Sequence, residues 1–224
     1  VLEGTFQGIM KAYGASLVNE ETKEITVDSP ETKEAFQVYV DMLKAGVVPP
    51  DVISWDYAEP LIALQEGIVA SAQFFTAGMP DLYSVESTPK YAGKFAFVAQ
   101  PAGPYGSFTR INPLGVMVNA NGQHRQATID FLLWLTSEEG AKIYTAAGGA
   151  SPRKSIMSDP SLLAERPWYS ELIKAAEHGV GSIRIAEQSI IKESFNKWAS
   201  LALNGDMSVD EAFDAAAEEI RNSI

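Results

Sequence analysis

The stretch LGVMVNANGQHRQATIDFLLWLTSEEGAKIYTAAGGASPRKS, residues 114–155, alternates strand and helix signals and decides the fold class. It opens with an apolar run through Leu114, Val116 and Val118 that ends in Asn121-Gly122, a pair suited to a tight turn. That reads as a strand. From Gln126 to Leu135 the apolar residues Ala127, Ile129, Phe131, Leu132 and Leu135 recur at helical spacing. Thr136-Ser137-Glu138-Glu139 then matches a capping box, with Thr136 as cap and Glu139 reaching back, so a second helix is expected at once. It runs into Gly148-Gly149, and a small-residue loop follows with Pro152, Arg153, Lys154 and Ser155.

The same alternation extends in both directions. Thr5 to Tyr13 has the spacing of a helix stopping at Gly14, and Ser16–Val18 with Glu24–Val27 reads as a hairpin. Ser29-Pro30-Glu31 is a helix start with a hydroxyl cap, a proline in the first turn and an acid facing the positive helix end. That helix stops at Gly46, and another is expected from Tyr57 to Gln65, ending at Gly67. IVASAQFF (68–75) and KFAFVAQP (94–101) read as strands, with a short helix around Asp81–Val85 between them. Leu162–Ala176 and Ile190–Leu203 read as helices, and Ser208-Val209-Asp210-Glu211 is a capping box opening a last one. The sum is an α/β protein, helix-rich in its second half.

Composition narrows function. Of 224 residues 46% are hydrophobic, enough for a sizeable core. The formal net charge of -12 repels phosphate backbones, so nucleic acid is not an expected partner. There is no cysteine, which excludes disulfides and thiolate metal sites and suits an oxidising compartment. The chain opens Val-Leu-Glu-Gly, so either a leader has been removed or this is a piece of a longer protein.

Catalytic templates are missing. Two histidines, His124 and His178, form no H-x-x-x-H pair, and neither a P-loop, a dinucleotide fingerprint nor a G-x-S-x-G elbow occurs. No cofactor and no metal is expected. A pair of carboxylates acting on a glycosidic bond stays open as an alternative, because sequence spacing does not fix spacing in space. Aromatic residues at element ends say more: Trp55-Asp56-Tyr57 before a helix, Phe74-Phe75 at a strand end, Tyr105 and Phe108 in a loop. Taken singly, each reads as core or helix staple. As a set they suit a cleft, where ring faces stack on a sugar and neighbouring polar groups bond its hydroxyls.

Five stretches carry a resemblance through their order and spacing: residues 10–51, ALQEGIVASAQFFTAG (63–78), AGKFAFVAQPAGP (92–104), the opening stretch, and NGDMSVDEAFDAAAEEI (204–220). Together they resemble the C-terminal part of the extracellular solute-binding proteins of ABC transporters, sugar-binding type. The resemblance implies a type II periplasmic-binding fold with two α/β lobes closing on a solute about a hinge. It implies that residues 1–112 begin the C-terminal lobe, 113–154 return to the N-terminal lobe, and 155–224 go back. It implies a monomeric, periplasmic or extracellular receptor, lipid-anchored or free, that hands a sugar-like solute to membrane permease subunits.

By the same resemblance, Trp55, Phe74 or Phe75 would stack on the solute, while Asp56, Thr76, Asn112, Ser151 and Arg153 would supply polar contacts. The family's strand-end G-x-W falls at Gly78-Met79-Pro80, so Met79 or Phe75 would fill the tryptophan's volume. Where a G-G-W is common this chain has Asn112-Pro113-Leu114, leaving Leu114 as an apolar wall. For Gly149–Arg153 two readings stand side by side. It is a ligand loop with a forked donor, or a helix stop with Arg153 in an interlobe ion pair.

Overall fold

The computed structural model describes residues 2–224 and, in chain order, eleven α-helices and two short strands among them. They are α1 (Leu2–Ala12), α2 (Pro30–Lys44), α3 (Ala58–Glu66), α4 (Met79–Tyr83), β1 (Thr109–Arg110), α5 (Arg125–Leu135), α6 (Glu138–Ala146), α7 (Lys154–Met157), α8 (Pro160–Glu165), α9 (Trp168–Glu177), β2 (Gly179–Val180), α10 (Gln188–Asn204) and α11 (Val209–Ser223). No helix among the described residues is long and apolar enough to cross a membrane.

Local chemistry explains most boundaries. The Ser29 hydroxyl accepts from the Thr32 amide with Pro30 in the first turn, and Gly67 closes α3 in the left-handed region at φ 71°. At α11 the capping box is complete, Ser208 accepting from the Glu211 amide while Glu211 accepts from the Ser208 amide. The box expected at Thr136 is displaced by one residue. Ser137 is the N-cap of α6 and accepts from the Gly140 amide, while Thr136 ends α5 and donates its hydroxyl proton back to the Leu132 carbonyl. The single helix expected over Leu162–Ala176 is two, because Pro167 has no amide proton to continue α8.

The chain packs as two compact units. The first takes the chain up to Gln73, then Ala99–Ile111 and His178–Ile224; the second takes Phe74–Val98 and Asn112–Glu177. Residues 74–98 and 155–177 thus group with residues 112–154, where the resemblance assigned them to the C-terminal lobe.

In the first unit α1, α2, α10 and α11 enclose an aromatic core. Phe36 lies edge-on to Phe6 at 5.3 Å and 4.9 Å from Phe213, and Phe6 stacks on Phe195 at 5.6 Å. Buried Ala199 and Ala202 on α10, with Ala212, Ala216 and Ala217 on α11, let helix backbones approach closely. The expected hairpin is reduced to one antiparallel bridge, Val18 to Ile25. It is pinned to α2 by the buried Thr32 hydroxyl, 3.1 Å from the carbonyls of both Ser16 and Thr26. Arg221 on α11 grips Asp28 with two nitrogens at 2.8 and 2.9 Å and donates to the Ile25 carbonyl at 3.0 Å.

Strands β1 and β2 form a parallel pair in that unit, Thr109 opposite Gly179 and Arg110 opposite Val180. Both lie within two residues of a point where the chain passes between units. The strands expected at 68–75, 94–101 and 114–121 are not formed. A strand exists only as part of a ladder, and among the described residues no segment pairs with these three. Most of their apolar side chains stay partly or fully in water, Leu114 at 91% exposure, while Phe97 packs on the core of the second unit.

The second unit has a smaller core: Met79, Met157, Trp168 and Tyr169, flanked by Tyr83 and Phe97. Trp168 meets the Tyr83 ring at 4.4 Å, and the Tyr83 hydroxyl donates to the Phe95 carbonyl at 2.9 Å. Helix α5 buries none of its residues.

Candidate functional site

Eight of the ten sequence-selected residues fall in the second unit, and six of those gather in two of its segments, 74–79 and 151–153. Trp55 and Asp56 fall in the first unit, between a turn of 3-10 helix at Val52–Ser54 and α3. There Trp55 is half-buried, and the Asp56 amide donates to Glu59, a reach-back that fixes the start of α3.

In the second unit, Phe74 and Phe75 leave the chain one after the other, rings edge to face at 6.5 Å. A Cβ on Gly78 would overlap the Phe74 ring, so glycine lets the ring lie flat on the turn that opens α4. Phe75 is 39% exposed and Thr76 half-buried beside it. Met79 points the other way, into the core against Met157 and Trp168. It supports this turn from beneath.

The second segment is the end of α6 and the loop after it. Gly148 is left-handed at φ 105°, and the amides of Gly148 and Gly149 return to the carbonyls of Thr145 and Tyr144. That is the geometry of a helix stop, as one of the two readings had it. The half-exposed Tyr144 ring lies over Gly149, where a Cβ would collide with it, and Gly148 packs against Pro80 of α4. Through Gly148 the start of the loop and the first turn of α4 share one face.

Ser151, 2% exposed, accepts from the Arg153 amide at 3.1 Å. Arg153 is exposed, and its Nε donates to the Thr136 carbonyl at 2.9 Å, tying the loop to the end of α5. Asn112 and Leu114 lie outside this face, both exposed in a segment without regular structure. Sequence reasoning missed Tyr144 and the residues holding the loop, Arg166 and Tyr169. The break at Arg166-Pro167 was the available signal, since it puts an arginine where a helix was expected to run on. Among the described residues no cluster of acids or histidines could hold a metal ion.

Exposed rings on glycine-backed turns and a guanidinium in the same unit are groups of the kind that hold neutral polyhydroxylated molecules by stacking and directed hydrogen bonds. The chain belongs to the bacterial extracellular solute-binding proteins, whose family model matches residues 4–142. Its fold is similar to maltose-bound MalE3 of T. maritima, with a TM-score of 0.84 at 21% identity over 100% of this chain and 57% of that one. It is equally similar to an ABC transporter solute-binding protein of Agrobacterium radiobacter K84 in complex with ribitol, with a TM-score of 0.84 at 24% identity over 98% of this chain and 56% of that one. A solute-binding protein of Thermotoga lettingae TMO bound with α-D-tagatose matches with a TM-score of 0.74 at 19% identity, over 98% and 56%. The fold is thus of the type II periplasmic-binding class, and the chain spans somewhat more than half the length of these structures.

Proposed function

We propose that this chain is the solute-gripping portion of an ABC importer's receptor, and that its cargo is a carbohydrate or related polyol handed to membrane permease subunits. The receptor works in the periplasm or outside the cell. The observations that support this reading are the glycine-backed pair Phe74 and Phe75 and the glycine loop under Tyr144 that runs on to Ser151 and Arg153, both in the second unit. A sugar ring lies against Phe75, the guanidinium bonds its oxygens, and buried Ser151 keeps the loop backbone in shape. Thr76, Asn112 and Leu114 add contacts as the solute is enclosed, while Met79 acts through the packing beneath Phe75.

The carboxylate-pair alternative has less support. Of the ten selected residues only Asp56 is an acid, and glycosidic hydrolysis of that kind needs two acids flanking one bond. Calorimetric titration with maltose, ribitol, tagatose and a set of amino acids tests the proposal. Heat with a sugar or polyol, recovered unchanged by mass, supports it. Heat with an amino acid alone refutes the substrate class, and a cleaved sugar refutes the receptor reading.

A further inference from the structure

The loop from Gly148 to Arg153 is gripped by two residues at the start of α9. Arg166 Nη2 donates to the Ala146 carbonyl at 2.6 Å and its Nη1 to the Thr145 carbonyl. One planar fork thus closes on two carbonyls at the end of α6, that of Thr145 also accepting from the Gly148 amide. Nη1 also lies 3.4 Å from the Tyr169 hydroxyl, whose own proton goes to the Gly149 carbonyl at 2.8 Å. Tyr169 is 2% exposed, with its ring in the cluster of Met79, Met157 and Trp168. The core beneath Phe75 therefore also sets the height of the glycine loop.

We infer that Arg166 and Tyr169 are positioning residues that preset the Gly148–Arg153 loop for the solute, an inference that rests on the reading of that loop as a binding element. Two successive glycines and a serine hold no single backbone conformation on their own. Anchoring the Gly149 carbonyl fixes the peptide just before Ala150 and Ser151, and the ordering cost is met on folding instead of on binding. A merely structural role for the pair predicts lost stability with affinity unchanged. A positioning role predicts the reverse.

The test compares the full chain with Tyr169→Phe and Arg166→Lys. The first keeps the ring and deletes one bond, and the second keeps the charge and deletes the fork. Amide hydrogen exchange across residues 149–153 and titration with maltose and with ribitol are the readouts, with thermal unfolding as control. The expected result is faster exchange confined to the loop, affinity weakened about three- to tenfold because the freed loop must be ordered on binding, and a thermal midpoint lowered by no more than the loss of one net hydrogen bond allows. Unchanged loop exchange, or faster exchange with unchanged affinity, overturns the inference. If the parent chain takes up neither sugar, the functional reading fails, while loop exchange in the two variants still decides whether the pair anchors the loop.

Discussion

Replacing Phe36 with alanine examines the packing of the first unit most directly. The ring is fully buried on α2, and three other phenylalanines lie within 6.0 Å of it, each carried on a different helix. Those helices are held by their remaining contacts, so the space left by the ring stays largely open. Burial of an aromatic side chain at about 25 cal/mol per Å² amounts to roughly 4–5 kcal/mol. Phe-to-Ala substitutions in cores cost about 3–5 kcal/mol, in agreement with that figure. With a urea slope of about 2 kcal/mol per molar, the unfolding midpoint of Phe36→Ala moves down by roughly 2 M. Phe75→Ala is the control, since its ring is already 39% exposed, and its cost is expected below about 1 kcal/mol. Urea unfolding followed by far-ultraviolet circular dichroism measures both. Equal shifts for the two variants would refute the assignment of Phe36 to the core and Phe75 to a binding face.

Removing the cap with Ser208→Ala should cost about 1 kcal/mol in the same unfolding experiment, because the Glu211 amide loses its acceptor. The Arg221 guanidinium beside Asp28 holds that carboxyl below its ordinary value, so its stabilisation is complete above the unfolded-state pKa and lost as pH falls through the lower native one. Parent and Asp28→Asn should therefore differ by about 1 kcal/mol or less at pH 7, given the pair's partial exposure, and converge in acid melts once pH falls below the lowered native pKa. Arg153→Ala should weaken sugar uptake by about tenfold or more in titration, through loss of charge-assisted hydrogen bonds, with far-ultraviolet dichroism unchanged.

Helices were legible wherever side-chain chemistry at their ends is local. Ser29-Pro30, Gly67 and Ser208–Glu211 each set a boundary from within four residues of it. The slip from Thr136 to Ser137 shows the limit of that logic. Both hydroxyls suit the cap, and the choice fell to the geometry of the α5–α6 corner, where Thr136 instead bonds back to Leu132. Strands were less legible for a different reason. The short β-branched run at 68–75, the alternation at 94–101 and the apolar run at 114–121 report a preference for a pleated backbone, whereas a ladder also needs a neighbour that those residues do not encode. Within the site, Phe74, Phe75, Ser151 and Arg153 could be picked as types of residue. What shapes the two segments that carry them, with Gly148 against Pro80 and Tyr169 on the Gly149 carbonyl, depends on contacts across up to 68 positions of chain and has no local signature.

On the binding role proposed for Arg153, its bond to the Thr136 carbonyl also restricts how a guest is met. A guanidinium offers oxygen pairs two edges, one lateral, using Nε with a terminal nitrogen, and one end-on, using both terminal nitrogens. With Nε already engaged, the lateral edge is closed. Vicinal hydroxyls must then approach along the axis of the arginine, which favours a molecule presenting its rim over one presenting its flat side.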